Sequence, residues 1–167
     1  MHIETYSFSD DGVIPNNRLP VILYRQVEEG NNLSAWLENR FKANNWTNNW
    51  RDIILPYDHF HSTTHEVLGV GYGSVSLQLG GKRNGLALTV STGDVLIIPA
   101  GVGHRALTEG TNYEIVGGYP GGLAWDLMKG NLEERTLAFA RIPQLALPET
   151  DPVFGTKGAL LQKWNAV

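Results

Sequence analysis

One stretch decides how this chain folds, namely His59-Phe60-His61-Ser62-Thr63-Thr64-His65-Glu66. On a β-strand, residues i and i+2 point to the same face, about 6.6 Å apart at a rise of roughly 3.3 Å per residue. His59 and His61 therefore project side by side, and a metal bonded to one nitrogen of each at about 2.0–2.1 Å can lie between them. The residues between His61 and Glu66 suffice for a turn into a neighbouring strand, so a carboxylate oxygen can approach the same point.

A further histidine follows a second turn-rich segment. Gly93-Asp94 predicts a turn into the apolar run 95–98, which ends at Pro99-Ala100-Gly101. His104 comes directly afterwards and can complete the set from a third strand. Any single histidine is more often a satisfied polar group than a ligand. Several candidate ligands that arrive at strand ends with these spacings instead favour a metal site, and the candidates are His59, His61, Glu66 and His104.

The two segments resemble the paired motifs of the cupin superfamily. His59-x-His61-x4-Glu66-x6-Gly73 is similar to the first cupin motif, and Gly93-x5-Pro99-x-Gly101-x2-His104 is similar to the second. The sequence looks especially similar to small, uncharacterised single-domain bacterial cupins of the RmlC-like kind. The resemblance implies an all-β fold, a double-stranded β-helix or cupin jelly-roll barrel with one or two short peripheral helices. It also implies a homodimer, and it makes the four candidate residues the metal ligands.

The flanking patterns agree with a fold of many short strands. Apolar and polar residues alternate over 75–79 and again over 86–90, as is typical of strands with one face in a core. Gly80-Gly81 and Asn84-Gly85 lie between these runs and predict a hairpin. A further strand is expected at Val21–Tyr24.

The remaining segments carry weaker signals. Asn31 and Asn32 precede apolar residues spaced i, i+3, i+4, i+8 from Leu33, which predicts a capped amphipathic helix of about three turns. The stretch 44–50 predicts a loop, 112–116 a strand and 117–122 a glycine-rich loop, and the loop 117–125 is expected over the mouth of the pocket. Asn131 with Glu134 predicts a helix-capping pair, and 159–164 a last strand.

Length and composition narrow the class of protein. A chain of 167 residues fits one domain, 1–167, with the metal-binding motifs within 57–108. The net charge of −4, without a Lys/Arg cluster, disfavours a nucleic-acid partner, and the absence of cysteine excludes disulfides and thiolate ligands. No signal-peptide pattern and no apolar stretch of roughly 20 residues is visible, so we expect a cytoplasmic protein with no membrane partner.

The ligand set leaves the metal open. Imidazoles and a carboxylate include no soft ligand, so the cofactor is expected to be one divalent transition metal ion, with Fe, Mn, Zn and Ni among the candidates. Zinc with four protein ligands would approach the closed tetrahedron of structural sites. Octahedral Fe(II) or Mn(II) would instead keep two positions open for substrate and for water or dioxygen.

Two functional hypotheses of different classes follow. The favoured one is a metal-dependent enzyme that acts on a small oxygen-rich molecule, and the resemblance implies a dioxygenase, decarboxylase or isomerase. The alternative is a non-catalytic small-ligand-binding cupin with a structural metal, since the fold does not decide between them. A metal-free sugar epimerase with a histidine base ranks last, because the His/Glu set there would not normally be complete.

No residue stands out as a catalytic acid or base, so the catalytic residues stay unknown at this point. His65 is expected on the face opposite Glu66, either as a loop histidine bonded to the backbone or as a residue that supports the site. Tyr57 is expected on the same inward face as His59, and Tyr72 on the same inward face as Glu66.

Overall fold

The computed structural model describes residues 1–167, which form two antiparallel β-sheets with helices around them. Six strands form the larger sheet, in the order β1-β2-β7-β4-β9-β3, and three form the smaller one, in the order β6-β5-β8. The all-β prediction is thereby confirmed at the level of two antiparallel sheets. The strands are β1 His2–Phe8, β2 Asn17–Arg25, β3 Trp46–Asp52, β4 Glu66–Tyr72, β5 Ser74–Leu79, β6 Leu86–Ser91, β7 Val95–Ile98, β8 His104–Ala106 and β9 Glu114–Pro120.

The central strands of the larger sheet are buried on both faces, which explains the unbroken apolar runs in β2 and β7. Leu96 and Ile98 of β7 pack into a core that is shared with the smaller sheet. Their neighbours Val95 and Ile97 pack into a second core, on the other face, against the helices. A central strand that is covered on both sides has no polar face, so the alternation seen in β5 is lost there.

Four α-helices lie around the sheets, more than the one or two that were expected. They are α1 Leu33–Ala43, the single turn α2 Gly81–Asn84, α3 Leu132–Arg141 and α4 Ala159–Asn165, and a 3₁₀ turn at Ile142–Gln144 follows α3. The predicted α1 is confirmed, although Asn32 sits at its N-cap without a side-chain hydrogen bond to the helix. The capping pair of α3 is also confirmed, because Asn131 Oδ1 accepts from the Glu134 N–H at 2.9 Å and Glu134 Oε1 accepts from the Asn131 N–H at 3.1 Å.

The predicted hairpin is present, with α2 as its connection. Leu79 of β5 pairs with Leu86 of β6, and the pairing runs back to Ser74 and Ser91. The strand expected at Val21–Tyr24 is the middle of β2.

Three local predictions were wrong. The stretch 44–50 is not a loop, since Trp46 begins β3, which pairs with β9 across an irregularity between Thr47 and Trp50. The segment 117–122 is not entirely a loop either, because β9 runs on to Pro120. Residues 159–164 form α4 rather than a strand, and its buried residues Leu160 and Trp164 are one helical turn apart.

Glycine in β9 is explained by the packing of β3. A Cβ on Gly117 would lie 2.1 Å from the Trp50 ring, so only glycine lets that indole lie flat against the strand. This close approach fixes Trp50 in the wall of the cavity described below.

None of the helices has both the length and the apolar character needed to cross a bilayer.

Candidate metal centre

The four predicted ligands meet at one end of the space between the two sheets. His59 and His104 lie opposite each other, and their backbones exchange two hydrogen bonds, at 3.3 and 3.0 Å. Glu66 opens β4 and His104 opens β8, as expected for strand-end ligands. His61 follows His59 on an extended segment outside the regular strands. All four side chains are buried, with exposures of 2–7%.

The three imidazoles present their nitrogens to one point. One ring nitrogen from each of His59, His61 and His104 lies within 4.8 Å of the others. Glu66 joins them, because its Oε1 lies 3.4 Å from His61 Nε2 and 3.2 Å from His104 Nε2. The structure thus brings together every residue that the motifs single out. Their identity as ligands remains a prediction.

The tautomers of the histidines are set by backbone carbonyls. Nδ1 of His59 contacts the Tyr57 carbonyl at 2.9 Å, Nδ1 of His104 contacts the Val102 carbonyl at 3.1 Å, and Nδ1 of His61 contacts the Asp126 carbonyl. A carbonyl only accepts, so each Nδ1 carries the proton and donates it. In the neutral ring Nε2 is then left with a lone pair, the form in which imidazole binds a metal.

Burial and the carboxylate pull the pKa values at the site in opposite directions. Burial, reinforced by the charge of His104, lowers the pKa of His59 to about 3, so this ring is neutral at physiological pH. For His61 burial also disfavours the proton, but the Glu66 carboxylate outweighs it and raises the pKa. Burial alone would raise the pKa of Glu66, yet the facing His61 and His104 rings hold it well below its usual range. The carboxylate is therefore ionised, and it attracts positive charge to the centre of the cluster.

Asp126 supports His61, and this residue was not predicted from the sequence. Its carbonyl accepts from His61, while its carboxylate accepts from the backbone N–H and the hydroxyl of both Ser62 and Thr63. Burial would raise the pKa of Asp126, but these hydrogen bonds outweigh it and lower the pKa. An aspartate about 60 residues downstream, in a segment without periodicity, offered no sequence signal.

A second missed pair holds Glu66. The Tyr119 hydroxyl donates to Glu66 Oε2 at 2.9 Å, and Trp50 Nε1 donates to the Tyr119 oxygen at 2.8 Å. This occupies one carboxylate oxygen, so the other, Oε1, is the one that faces the histidines. Trp50 and Tyr119 lie in the segments 44–50 and 117–122, which were predicted to be loops.

A cavity of about 330 Å³ lies over the cluster. Its floor includes the three histidines and Glu66. Its walls come from β3, the segment after it and the segment after β9, and its rim carries Leu55, Trp125 and Leu127, which are 36–48% exposed. Trp125 lies within the segment 117–125 that was expected at the pocket mouth. The centre is thus buried but lies next to a space open to solvent.

The other predicted side chains lie away from this cavity. His65 faces the opposite side of the sheet, as expected, where its Nδ1 accepts from the Ala100 N–H at 2.9 Å and its ring packs against Trp164. The Tyr57 ring lies against His59 under the ammonium group of Lys129. Tyr72 is half exposed beyond an irregularity in β4 and does not line the cavity, so its predicted inward position was wrong.

Comparison with known sequences gives one full-length relative. The chain is 38% identical over 162 residues to the uncharacterized protein YjlB of Bacillus subtilis (strain 168), and the alignment covers 96% of both chains. No protein-family model matches the sequence.

Similar solved structures align over parts of the chain. An acireductone dioxygenase from Bacillus anthracis with a cadmium ion in its active centre matches with a TM-score of 0.41 and 13% identity, over 57% of this chain and 64% of that one. Oxalate decarboxylase from Bacillus subtilis matches with a TM-score of 0.41 and 15% identity, over 70% of this chain and 29% of that one. This chain therefore spans less than two thirds of either structure.

The burial of His65 predicts a pH-dependent stability. Burial lowers the pKa of His65 from 6.5 to about 4, so between these values the unfolded chain binds a proton that the folded chain does not. Stability is therefore lost as the pH falls through this window, by at most about 3 kcal/mol for this group. Urea unfolding of the metal-free protein at pH 7.0 and 4.5 should show a smaller loss for His65→Gln than for wild type. Equal losses in the two proteins would contradict this role of His65.

Proposed function

We propose that this chain, which belongs to the same family as YjlB of Bacillus subtilis, is a cupin and a metal-dependent enzyme acting on a small molecule. The observation that carries the proposal is the convergence of three imidazole nitrogens and one carboxylate oxygen on the floor of a cavity. A bound divalent ion would act as a Lewis acid there, polarising an oxygen of the bound molecule.

The donor set fits such an ion. Nδ1 of each histidine donates to a backbone carbonyl, so the Nε2 lone pairs of His59, His61 and His104 are free to bind a metal. The ionised Glu66 adds one negative charge among them, and no protein cation other than a protonated imidazole lies at the cluster. A buried carboxylate is costly without a positive partner. A metal ion meets that need more fully than a proton on His61.

Residues outside the set keep it in place. Asp126 fixes the orientation of His61, and Tyr119 with Trp50 fixes the orientation of Glu66. Supporting hydrogen bonds of this kind normally orient the ligands of metal sites and tune their affinity. The chain thereby holds the donor atoms at the floor and leaves the space above them for a small molecule.

The cavity favours chemistry over a purely structural role. Structural sites are closed by protein ligands, whereas a catalytic site keeps positions free for water or substrate. A space of about 330 Å³ directly over the donor atoms matches the second case. In the alternative, a non-catalytic cupin with a structural metal, this space would only bind a ligand or would have no role.

We propose four further properties that extend this function. The two sheets are the halves of a cupin jelly roll. The metal is a divalent ion among Fe, Mn, Zn and Ni, since imidazole and carboxylate suit all of them. The protein works as a homodimer, and it works in the cytoplasm.

Metal content tests the proposed ligands. Purified wild type should hold about one equivalent of a divalent metal, and the His59→Ala/His61→Ala variant should hold almost none, because two of the four donors are gone. Asp126→Ala should weaken metal binding by roughly 10- to 100-fold, because the lost carboxylate bonds to Ser62 and Thr63 hold in place the Asp126 carbonyl that orients His61. Elemental analysis and competition with a coloured chelator measure both effects.

The chain supplies its own control for this experiment. His2 is exposed at the start of β1, far along the chain from the cluster, so His2→Ala should keep the full metal content. Equal metal content in the His2 and His59/His61 variants would refute the ligand assignment.

The relaxation of water protons tests the open coordination position. In protein loaded with Mn²⁺, exchange of bulk water with a metal-bound water should raise the relaxation rate well above that of a manganese chelate with no coordinated water. A rate equal to that of the saturated chelate would indicate a closed site and would favour the structural alternative.

A further inference from the structure

The walls of the cavity are mainly apolar, which suits an apolar ring. Above the histidines they consist mainly of aromatic and aliphatic side chains, among them Trp50, Ile53, Leu55, Trp125 and Leu127. The Trp125 ring stands 5.7 Å from the His61 ring and is 48% exposed. Such a surface gains most from covering an apolar, flat molecule, because aromatic faces and edges pack well against each other.

No cationic side chain lines the cavity. Its charged residues are Glu66 on the floor and Asp52 in the wall, and both are acidic. The nearest arginine in sequence, Arg51, turns away and bonds Glu38 at 3.1 Å. Binding pockets for molecules with two acidic groups normally supply arginine or lysine for them. A second negative charge would lie in this cavity without a partner.

The hydrogen-bond donors in the buried part of the wall already donate to other groups of the protein. Trp50 Nε1 donates to Tyr119, the Tyr119 hydroxyl donates to Glu66, and the Asn49 amide donates to the Trp46 and Gly117 carbonyls. An anionic group in the wall region would find none of these hydrogens free. Apart from the exposed Asn48, the floor, where a metal ion would bind, is thus the place that favours the oxygens of a ligand.

We infer that the cavity takes a molecule with an apolar, ring-sized body and a metal-binding oxygen group that carries at most one negative charge. This inference rests on the proposed function and names its substrate class. A divalent ion with Glu66 would leave one net positive charge at the floor, which a monoanionic oxygen group neutralises. A volume of about 330 Å³ holds one ring of this kind. A small dicarboxylate matches neither the walls nor the charge.

Two chelators with different bodies test the inference. Tropolone is a monoanion with an apolar ring, whereas oxalate is a dianion without one, and both bind metals through two adjacent oxygens. Calorimetric titration of the Zn²⁺-loaded protein gives the ratio of their Kd values. Comparing this ratio between wild type and variants cancels the difference in their affinity for zinc itself.

Two neighbouring leucines provide a matched pair of variants. Leu127 lines the cavity and Leu123 does not, and both lie in the segment after β9 at 39% and 50% exposure. Leu127→Lys places a cation in the wall, so the preference for tropolone over oxalate should fall at least ten-fold. Leu123→Lys should leave it within two-fold of wild type. Trp125→Ala, which adds no charge, should weaken tropolone at least five-fold and leave oxalate unchanged.

The outcomes separate this inference from the proposed function. A wild-type protein that holds no zinc would overturn both. A second outcome would overturn the substrate class alone. In it, all proteins retain zinc, Leu127→Lys prefers tropolone over oxalate as strongly as wild type does, and Trp125→Ala binds tropolone as tightly as wild type. Zinc retained with the expected shifts would establish the apolar, singly charged ligand.

Discussion

The backbone pairing of His59 with His104 is the constraint on which the rest of the site depends. Two reciprocal hydrogen bonds hold these residues opposite each other, although they are 45 positions apart in the chain. Because both side chains leave the paired segment on the same side, their rings lie in contact, with centroids 4.1 Å apart and planes tilted by 58°. His61, two residues on, then needs only an extended backbone to reach them. The whole donor set follows from one antiparallel contact that closes the end of the two sheets.

The energetics of this arrangement favour the binding of a cation. Four polar side chains are buried together, and desolvation opposes charge on His59, His61 and Glu66. Every Nδ1 is satisfied by a carbonyl, and one Glu66 oxygen is satisfied by Tyr119, so the unsatisfied atoms all face the same point. An uncompensated carboxylate in such a place is expensive, and the proposed divalent ion would convert the same burial into binding energy. Metal binding would then couple the folding of the chain to the chemistry of the site.

The sequence was sufficient for the residues whose spacing carries information. The i, i+2 histidines, the glutamate at the start of β4 and the histidine after the second turn could all be placed from strand geometry and motif order. The strand at Val21–Tyr24, which is the middle of β2, was also predicted from its apolar run. In these cases the local pattern and the tertiary environment point to the same structure.

Prediction failed where distant segments override the local pattern. β3 contains two adjacent asparagines and a left-handed Asn48, so it reads as a loop, and only pairing with β9 makes it a strand. Gly117 of β9 was predicted to lie in a loop because the indole of Trp50, which requires a glycine there, lies about 67 residues away in the chain. Asp126, Trp50 and Tyr119 support the site through such contacts, and no spacing rule relates them to the ligands. The same contacts give the cavity its apolar walls, which the motifs did not indicate.

X-ray absorption at the metal edge of the purified, metal-loaded protein tests the central claim most directly. The account predicts a first shell of three imidazole nitrogens and one carboxylate oxygen at about 2.0–2.2 Å, with additional light atoms from solvent. The outer-shell scattering should be characteristic of histidine. A first shell with fewer than three imidazoles, or one made of solvent oxygens alone, would contradict it.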